Sequence, residues 1–246
     1  MFEKEIKNYL QKQGYEHMNL KAVMFDMDGI LFDSMKNHAY SWNQAMKKYG
    51  MDLPYEEAYE HEGRTGTSTI DIVCQRQLGR KATKEEKKNI YKTKTEEFNK
   101  CPKAERMPGA WEVLQKIKTD GLFPMVITGS GQITLLERLN KSFPNVFKED
   151  LMVTAFDVKY GKPNPEPYLM GLKKGKLKAQ ETIVIENAPL GIEAGVAAGV
   201  FTIAVNTGPL PDKLLLEKGA NLLFHSMQNF CDNWELILQS MKKSQR

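Results

Sequence analysis

The sequence predicts a layered α/β fold: a parallel sheet with helices on both faces and a helical subdomain inserted after the first strand. Three observations carry this reading. Short apolar runs of strand length recur along the chain, amphipathic helical patterns fill most gaps between them, and one stretch from about residue 33 to 104 holds helical segments and no convincing strand. Residues 1–20 read as an amphipathic helix, with Phe2, Ile6, Leu10 and Tyr15 on one stripe, an accessory element ahead of the sheet. Lys21–Phe25 is a buried strand that stops at Asp26-Met-Asp28-Gly29, a turn signal. Lys36–Tyr49, Thr69–Leu78 and Thr83–Asn99 are helices rich in Lys, Glu and Gln; two prolines and Gly109 then mark the return to the core. Further strands are expected at Phe123–Thr128, Leu151–Phe156, Thr182–Glu186, Phe201–Val205 and Leu222–Phe224. Helices at Ala110–Asp120, Gln132–Lys141, Pro165–Lys174 and Gly191–Ala198 separate most of them. The expected division is therefore a helix at 1–20, a core of 21–33 and 105–246, and an insert at 34–104.

Composition removes several function classes. A chain of 246 residues is long enough to bury a core without staples, and its three cysteines fit neither a disulfide framework nor a metal knuckle. Thirty-five basic against 31 acidic residues, well mixed, give no reason to expect nucleic acid or membrane as partner. No apolar run reaches the roughly 18 residues of a membrane span. A cytoplasmic monomer is the expected setting.

In open parallel sheets ligands sit beyond the carboxyl ends of the strands, so the residues after each run matter most. They are Asp26 and Asp28, Thr128-Gly129-Ser130-Gly131, the segment from Asp157 to Lys162, and Glu186-Asn187. Paired carboxylates, a lone lysine and another acidic tip suit magnesium-assisted phosphoryl transfer, because Mg²⁺ takes oxygen ligands and a cation offsets charge on the phosphoryl group.

These residues resemble the four motifs of the haloacid dehalogenase superfamily: Asp26-Met-Asp28-Gly29-Ile-Leu-Phe-Asp33-Ser34, Thr128, Lys162 in Gly161-Lys-Pro-Asn-Pro-Glu-Pro, and Glu186-Asn187. The resemblance implies a Rossmann-like three-layer core with a helical cap, and it is closest in the β-phosphoglucomutase-like subfamily. It also implies Mg²⁺ as cofactor and an aspartyl-phosphate intermediate. Asp26 is then the nucleophile and Asp28 the acid and base, with its backbone carbonyl on the metal. Thr128 and Lys162 hold the phosphoryl oxygen, and Glu186 and Asn187 hold the metal, directly or through water. Asp157 reads as a loop stabiliser.

The fourth motif departs from the usual Glu-Asp or Asp-Asp by carrying Asn187, which removes a negative charge from the expected metal shell. The cap segment Tyr59-Glu60-His61-Glu62-Gly63-Arg64-Thr65-Gly66 offers a replacement in Glu62, where β-phosphoglucomutase has a basic residue nearby. This pairing, with EGRTG and ENAPLGIEAG, resembles a branch that hydrolyses inorganic pyrophosphate. His38, Arg64, Lys94 and Ser130 are expected to contact the substrate, whereas Trp42 and Trp111 read as core. Pyrophosphatase is thus the first expectation, β-phosphoglucomutase or a small sugar-phosphate phosphatase the second, and a catalytically silent phosphate-binding protein a remote third.

Overall fold

The computed structural model describes residues 1–131 and 135–244. In chain order it contains α1 (Glu3–Gln13), β1 (Ala22–Phe25), α2 (Met35–Lys48), α3 (Tyr55–Glu60), α4 (Gly66–Leu78), α5 (Lys84–Lys100), α6 (Ala110–Thr119), β2 (Phe123–Val126), α7 (Leu135–Ser142), α8 (Glu166–Gly175), β3 (Thr182–Glu186), α9 (Pro189–Ala197), β4 (Phe201–Val205), α10 (Asp212–Glu217), β5 (Leu222–Phe224) and α11 (Met227–Lys243). The strands form one parallel sheet in the order β2-β1-β3-β4-β5.

Period-two alternation in these strands feeds two apolar layers. Val23, Phe25, Ile183, Ile185, Phe201 and Ile203 join one cluster with residues of α1, α6 and α11. Ala22, Met24, Met125 and Val184 face the other way, onto Tyr168 and Leu172 of α8 and Ala194 of α9. A sheet buried on both faces explains why its strands read as continuous apolar runs. The architecture is a Rossmann-like three-layer α/β core. The stripe of α1 belongs to it: Ile6, Tyr9 and Leu10 are buried, and the Tyr9 hydroxyl donates to the Gly199 carbonyl at 2.8 Å.

Helices α2 to α5 form the inserted cap around their own apolar cluster, which includes Met46, Leu53, Ile70, Val73 and Ile90. A complete capping box starts α5, with Thr83 and Glu86 bonding each other's backbone N–H. Helix α4 begins three residues before its expected start because the Thr65 hydroxyl accepts from Ser68 N and caps the first turn.

Other expectations need correction. Leu151–Phe156 is not a strand: Glu149–Leu151 form a 3₁₀ turn and only Val153 bridges Ile127 at the edge of the sheet. Met152 and Val153 turn into the core while Phe156 stays exposed, and Asp157 folds the segment back by accepting from Thr154 N and Oγ1 at 2.8 and 2.9 Å. The first residues of the expected Gln132–Lys141 helix, 132–134, lie outside the described residues. Helices α3, α10 and α11 were not expected, α3 and α10 being six-residue helices behind Pro54 and Pro211.

Strand order reverses around β1, because the chain passes from β1 to β2 on one side and then to β3 on the other. That reversal opens a crevice above the carboxyl ends of β1 and β3, where Asp26 and Glu186 stand. The cap lies over it.

Candidate active site

Lys162 organises the floor of the crevice. Its ammonium donates to Asp26 Oδ1 at 2.5 Å, to Glu186 Oε1 at 2.5 Å and to the Ile127 carbonyl at 3.1 Å, which uses all three of its protons. The side chains of Lys162, Asp26 and Glu186 are almost fully buried, so each charge depends on the others. The two carboxylates hold the Lys162 ammonium protonated far above neutral pH against the opposing pull of burial. Burial pushes the Asp26 carboxyl up to about 7, with Lys162 pulling it down and Glu186 pushing it further up.

Glu186 departs from the metal-ligand role expected of it. Oε1 accepts from Lys162 and from the Tyr168 hydroxyl at 2.7 Å, while Oε2 accepts from the backbone N–H groups of Asn187 at 3.1 Å and Ala188 at 3.3 Å. Four donors occupy its lone pairs, which leaves none for a direct metal bond. Glu186 thus holds the turn that leads into α9 and anchors Lys162. Gly191 permits this, since a Cβ there would stand 1.8 Å from Glu186 Oε1.

Asp28 points toward the cap. Its Oδ1 accepts from Ser34 Oγ at 2.5 Å and lies 3.3 Å from His38 Nε2, and His38 Nδ1 lies 2.9 Å from Lys94 Nζ. These contacts assign a neutral His38 that accepts from Lys94 and donates through Nε2 to Asp28. Burial, followed by the neighbouring Lys94, pushes the His38 pKa down, in keeping with that state. Burial lowers the Lys94 pKa to about 8. Burial also raises the Asp28 pKa, but His38, Ser34 and Arg138 outweigh it and hold the carboxyl well below the usual range.

The cap reaches the core through the loop after α3. Asn187 Nδ2 donates to Glu62 Oε2 at 2.9 Å, a direct bond between two residues 125 apart in sequence. The loop seats backbone against core: a Cβ on Gly63, whose φ is +84°, would lie 2.9 Å from Lys162 Cδ, and one on Gly129 would lie 3.0 Å from the Gly63 carbonyl. The result is a cavity of about 80 Å³ lined by Asp26, Asp28, His38, Glu62, Arg64, Lys94, Thr128 and Ser130. Lys162, Glu186 and Asn187 support it from below. Thr128 is buried, and its Oγ1 accepts from Ser130 N at 3.1 Å. Trp42, expected in the core, also lines the cavity, with Lys94 Nζ 5.6 Å from its ring.

Two oxygens of the cap contact have no partner: Glu62 Oε1 and Asn187 Oδ1 are both buried without a hydrogen bond. Burial raises the Glu62 pKa well above the usual range, and Asp26, Glu186 and Asp28 add to the effect. A desolvated set of hard oxygen donors short of positive charge fits Mg²⁺. No three His, Cys, Asp or Glu side chains form a ready chelating cluster among the described residues, so the fit depends on amide and backbone oxygens as well.

Comparison with known proteins decides the family. Residues 23–205 match the model described as haloacid dehalogenase-like hydrolase, a stretch that holds all four strand-tip motifs and the whole cap. The chain belongs to the haloacid dehalogenase-like hydrolase family. A solved structure from Bacteroides vulgatus, provisionally assigned as a β-phosphoglucomutase, is 67% identical with a TM-score of 0.96, over 98% of both chains. Hexitol phosphatase A of Escherichia coli is 30% identical over 90% of this chain and 100% of its own length. The phosphorylated carbohydrates phosphatase of Thermotoga maritima is 30% identical over 82% and 92%. This haloacid dehalogenase-like hydrolase is therefore a phosphatase-type enzyme.

Sequence reasoning missed Tyr168 and Ser34 as site residues, although Ser34 ends the first motif and Tyr168 directly follows the third. Arg138 carried no signal. Its guanidinium stands 4.1 Å from the Phe32 ring, and only the fold brings α7 there.

Proposed function

We propose that the enzyme is a Mg²⁺-dependent phosphohydrolase that works through an aspartyl-phosphate intermediate and acts first on inorganic pyrophosphate. The observation that carries the substrate reading is the Glu62–Asn187 contact, which closes the cap onto a cavity of about 80 Å³. Pockets for ordinary small molecules run to about 300–1,000 Å³, so the closed form favours a compact substrate over a hexose phosphate.

An Asp26 oxygen forms a bond to phosphorus as the bond to the leaving oxygen breaks, and water then attacks the aspartyl phosphate to release phosphate. Lys162 fixes the Asp26 carboxylate and neutralises charge beside it. Thr128 and Ser130 line the space the phosphoryl oxygens enter. Asp26, the Asp28 carbonyl, Asn187 and Glu62 are the groups that would hold Mg²⁺, which supplies positive charge to the phosphoryl oxygens. Glu186 serves by positioning Lys162.

The proton inventory supports the same substrate. With Ser34 and His38 both donating to it, Asp28 rests ionised, so it is a poor acid for a departing alkoxide and can only accept a proton, as the attack of water requires. A phosphate leaving group needs far less protonation than a sugar alkoxide. The second reading, a sugar-phosphate phosphatase or β-phosphoglucomutase, is favoured by the names of the similar proteins, which outweigh pyrophosphate among the comparisons. Phosphate release with Mg²⁺ from pyrophosphate, β-glucose 1-phosphate and hexitol phosphates separates the two. The expected outcome is the highest kcat/KM on pyrophosphate; faster release from a sugar phosphate selects the second reading.

A further inference from the structure

A second cavity of about 420 Å³ lies behind the loop at residues 63–65, lined by Arg64, Thr65 and Ser68 of the cap and by Lys159, Tyr160, Gly161, Lys162, Pro163 and Asn164 of the core. Arg64 lines both this cavity and the catalytic one. Among the described residues the Arg64 side chain makes no hydrogen bond or ion pair, and its Nε is buried without a partner. The carboxylate it senses is Glu193, which Lys218 already engages at 2.7 Å. Lys159 likewise forms no ion pair, and its ammonium rests 5.1 Å from the Tyr160 ring. The opposing charge on the core side is Glu166, whose oxygens are committed to the backbone N–H groups of Lys159 and Tyr160 at 2.9 and 2.8 Å. Thr65, the N-cap of α4, and Ser68 in its first turn line the same space, where the helix dipole favours an anion.

We propose that this cavity is a second anion site that takes inorganic phosphate leaving the catalytic cavity past Arg64. The charges match a phosphate: two unpaired cations, one from each domain, meet a group that carries between one and two negative charges near neutral pH. The route is short, because only the 63–65 loop divides the cavities. Since the site is built from both domains, bound phosphate also favours the closed cap. The naming of the ligand rests on the phosphohydrolase reading; the cavity and its cations do not.

The test is a titration of the full-length chain with inorganic phosphate, followed by ³¹P line broadening or calorimetry, with and without Mg²⁺. Without Mg²⁺ the carboxylates of the catalytic site repel phosphate, so the expected result is one site without Mg²⁺ and two with it. Lys159→Ala is exposed and safe for folding, and should weaken the Mg²⁺-independent site about tenfold, the scale of losing one hydrogen bond to a charged group. Ser68→Asp should weaken it at least as much, while turnover at low phosphate stays within about twofold in both. Absence of a Mg²⁺-independent site in the wild type, or its persistence unchanged in both variants, overturns the proposal. If Lys159-dependent binding is found while no phosphate compound is hydrolysed, the cavity stands and the phosphohydrolase reading fails.

Discussion

The two halves of the site are built in opposite ways. On the core side Lys162, Asp26, Glu186 and Tyr168 form a buried network in which all three Lys162 protons and both Glu186 oxygens have partners. Where the cap meets that floor, Glu62 and Arg64 of the cap and Asn187 of the core reach the centre with buried atoms that have none. A satisfied polar network is rigid and fixes the nucleophile before substrate arrives. An unsatisfied set is held in place by the closed cap, and under the proposed function it would gain its missing partners from cation and phosphate. The contrast separates what the fold supplies alone from what it completes with ligand.

Breaking the core half should cost most. Lys162→Met leaves two buried carboxylates uncompensated, for which a loss of about 3–5 kcal/mol in folding stability is expected, together with near-complete loss of phosphate release. Chemical denaturation and a product assay read both. A fold as stable as the wild type would mean that the network is not interdependent.

Disturbing the cap half should spare the fold and damage the rate. Glu62→Ala removes the cap's side of the contact with Asn187 without touching Lys162. The expected result is a fall of about 10²-fold in kcat/KM from misplacement of the cap, with the thermal midpoint little changed. Equal damage to both measurements would erase the distinction between the halves.

Lys94 sharpens the comparison through pH. Its proton, lost at about 8 because of burial, supports His38 and so the donation to Asp28. A cation is present below that pH and absent above it, so kcat should decline as pH rises through about 8. Lys94→Met should be slower at neutral pH and lack that decline; an unchanged alkaline limb would assign it to another group. The smallest effect is expected of Tyr168→Phe. Loss of one of the four donors to Glu186 should cost about 1 kcal/mol of stability and less than tenfold in kcat.

Much of the core was legible in the sequence because its logic is local. Strand runs, glycine turns and strand-tip residues obey short-range rules, and four motifs in order named the family. Leu151–Phe156 misled because an apolar run of six looks the same whether it pairs as a strand or packs as a loop. Glu186 misled for a different reason. Its spacing placed it at the centre, but nothing local shows that Lys162, Tyr168 and the N–H groups of Asn187 and Ala188 consume its lone pairs. The Glu62–Asn187 pairing was legible as a departure from a pattern, and the structure brings the two into contact. Arg138 and the cavity behind Arg64 were invisible, since both arise from segments that only the closed fold brings together.

The central claim is that Glu62 of the cap and Asn187 of the core share one cation. Mg²⁺ affinity of the full-length protein, measured by calorimetry in the wild type and in Glu62→Gln, tests it most directly. Replacing a buried carboxylate by an amide removes a charge from the shell without removing the side chain, so at least about tenfold weaker binding is expected, the scale of losing one charged contact. Equal affinity in the two proteins would contradict the claim and leave Glu62 as a latch that closes the cap without touching the metal.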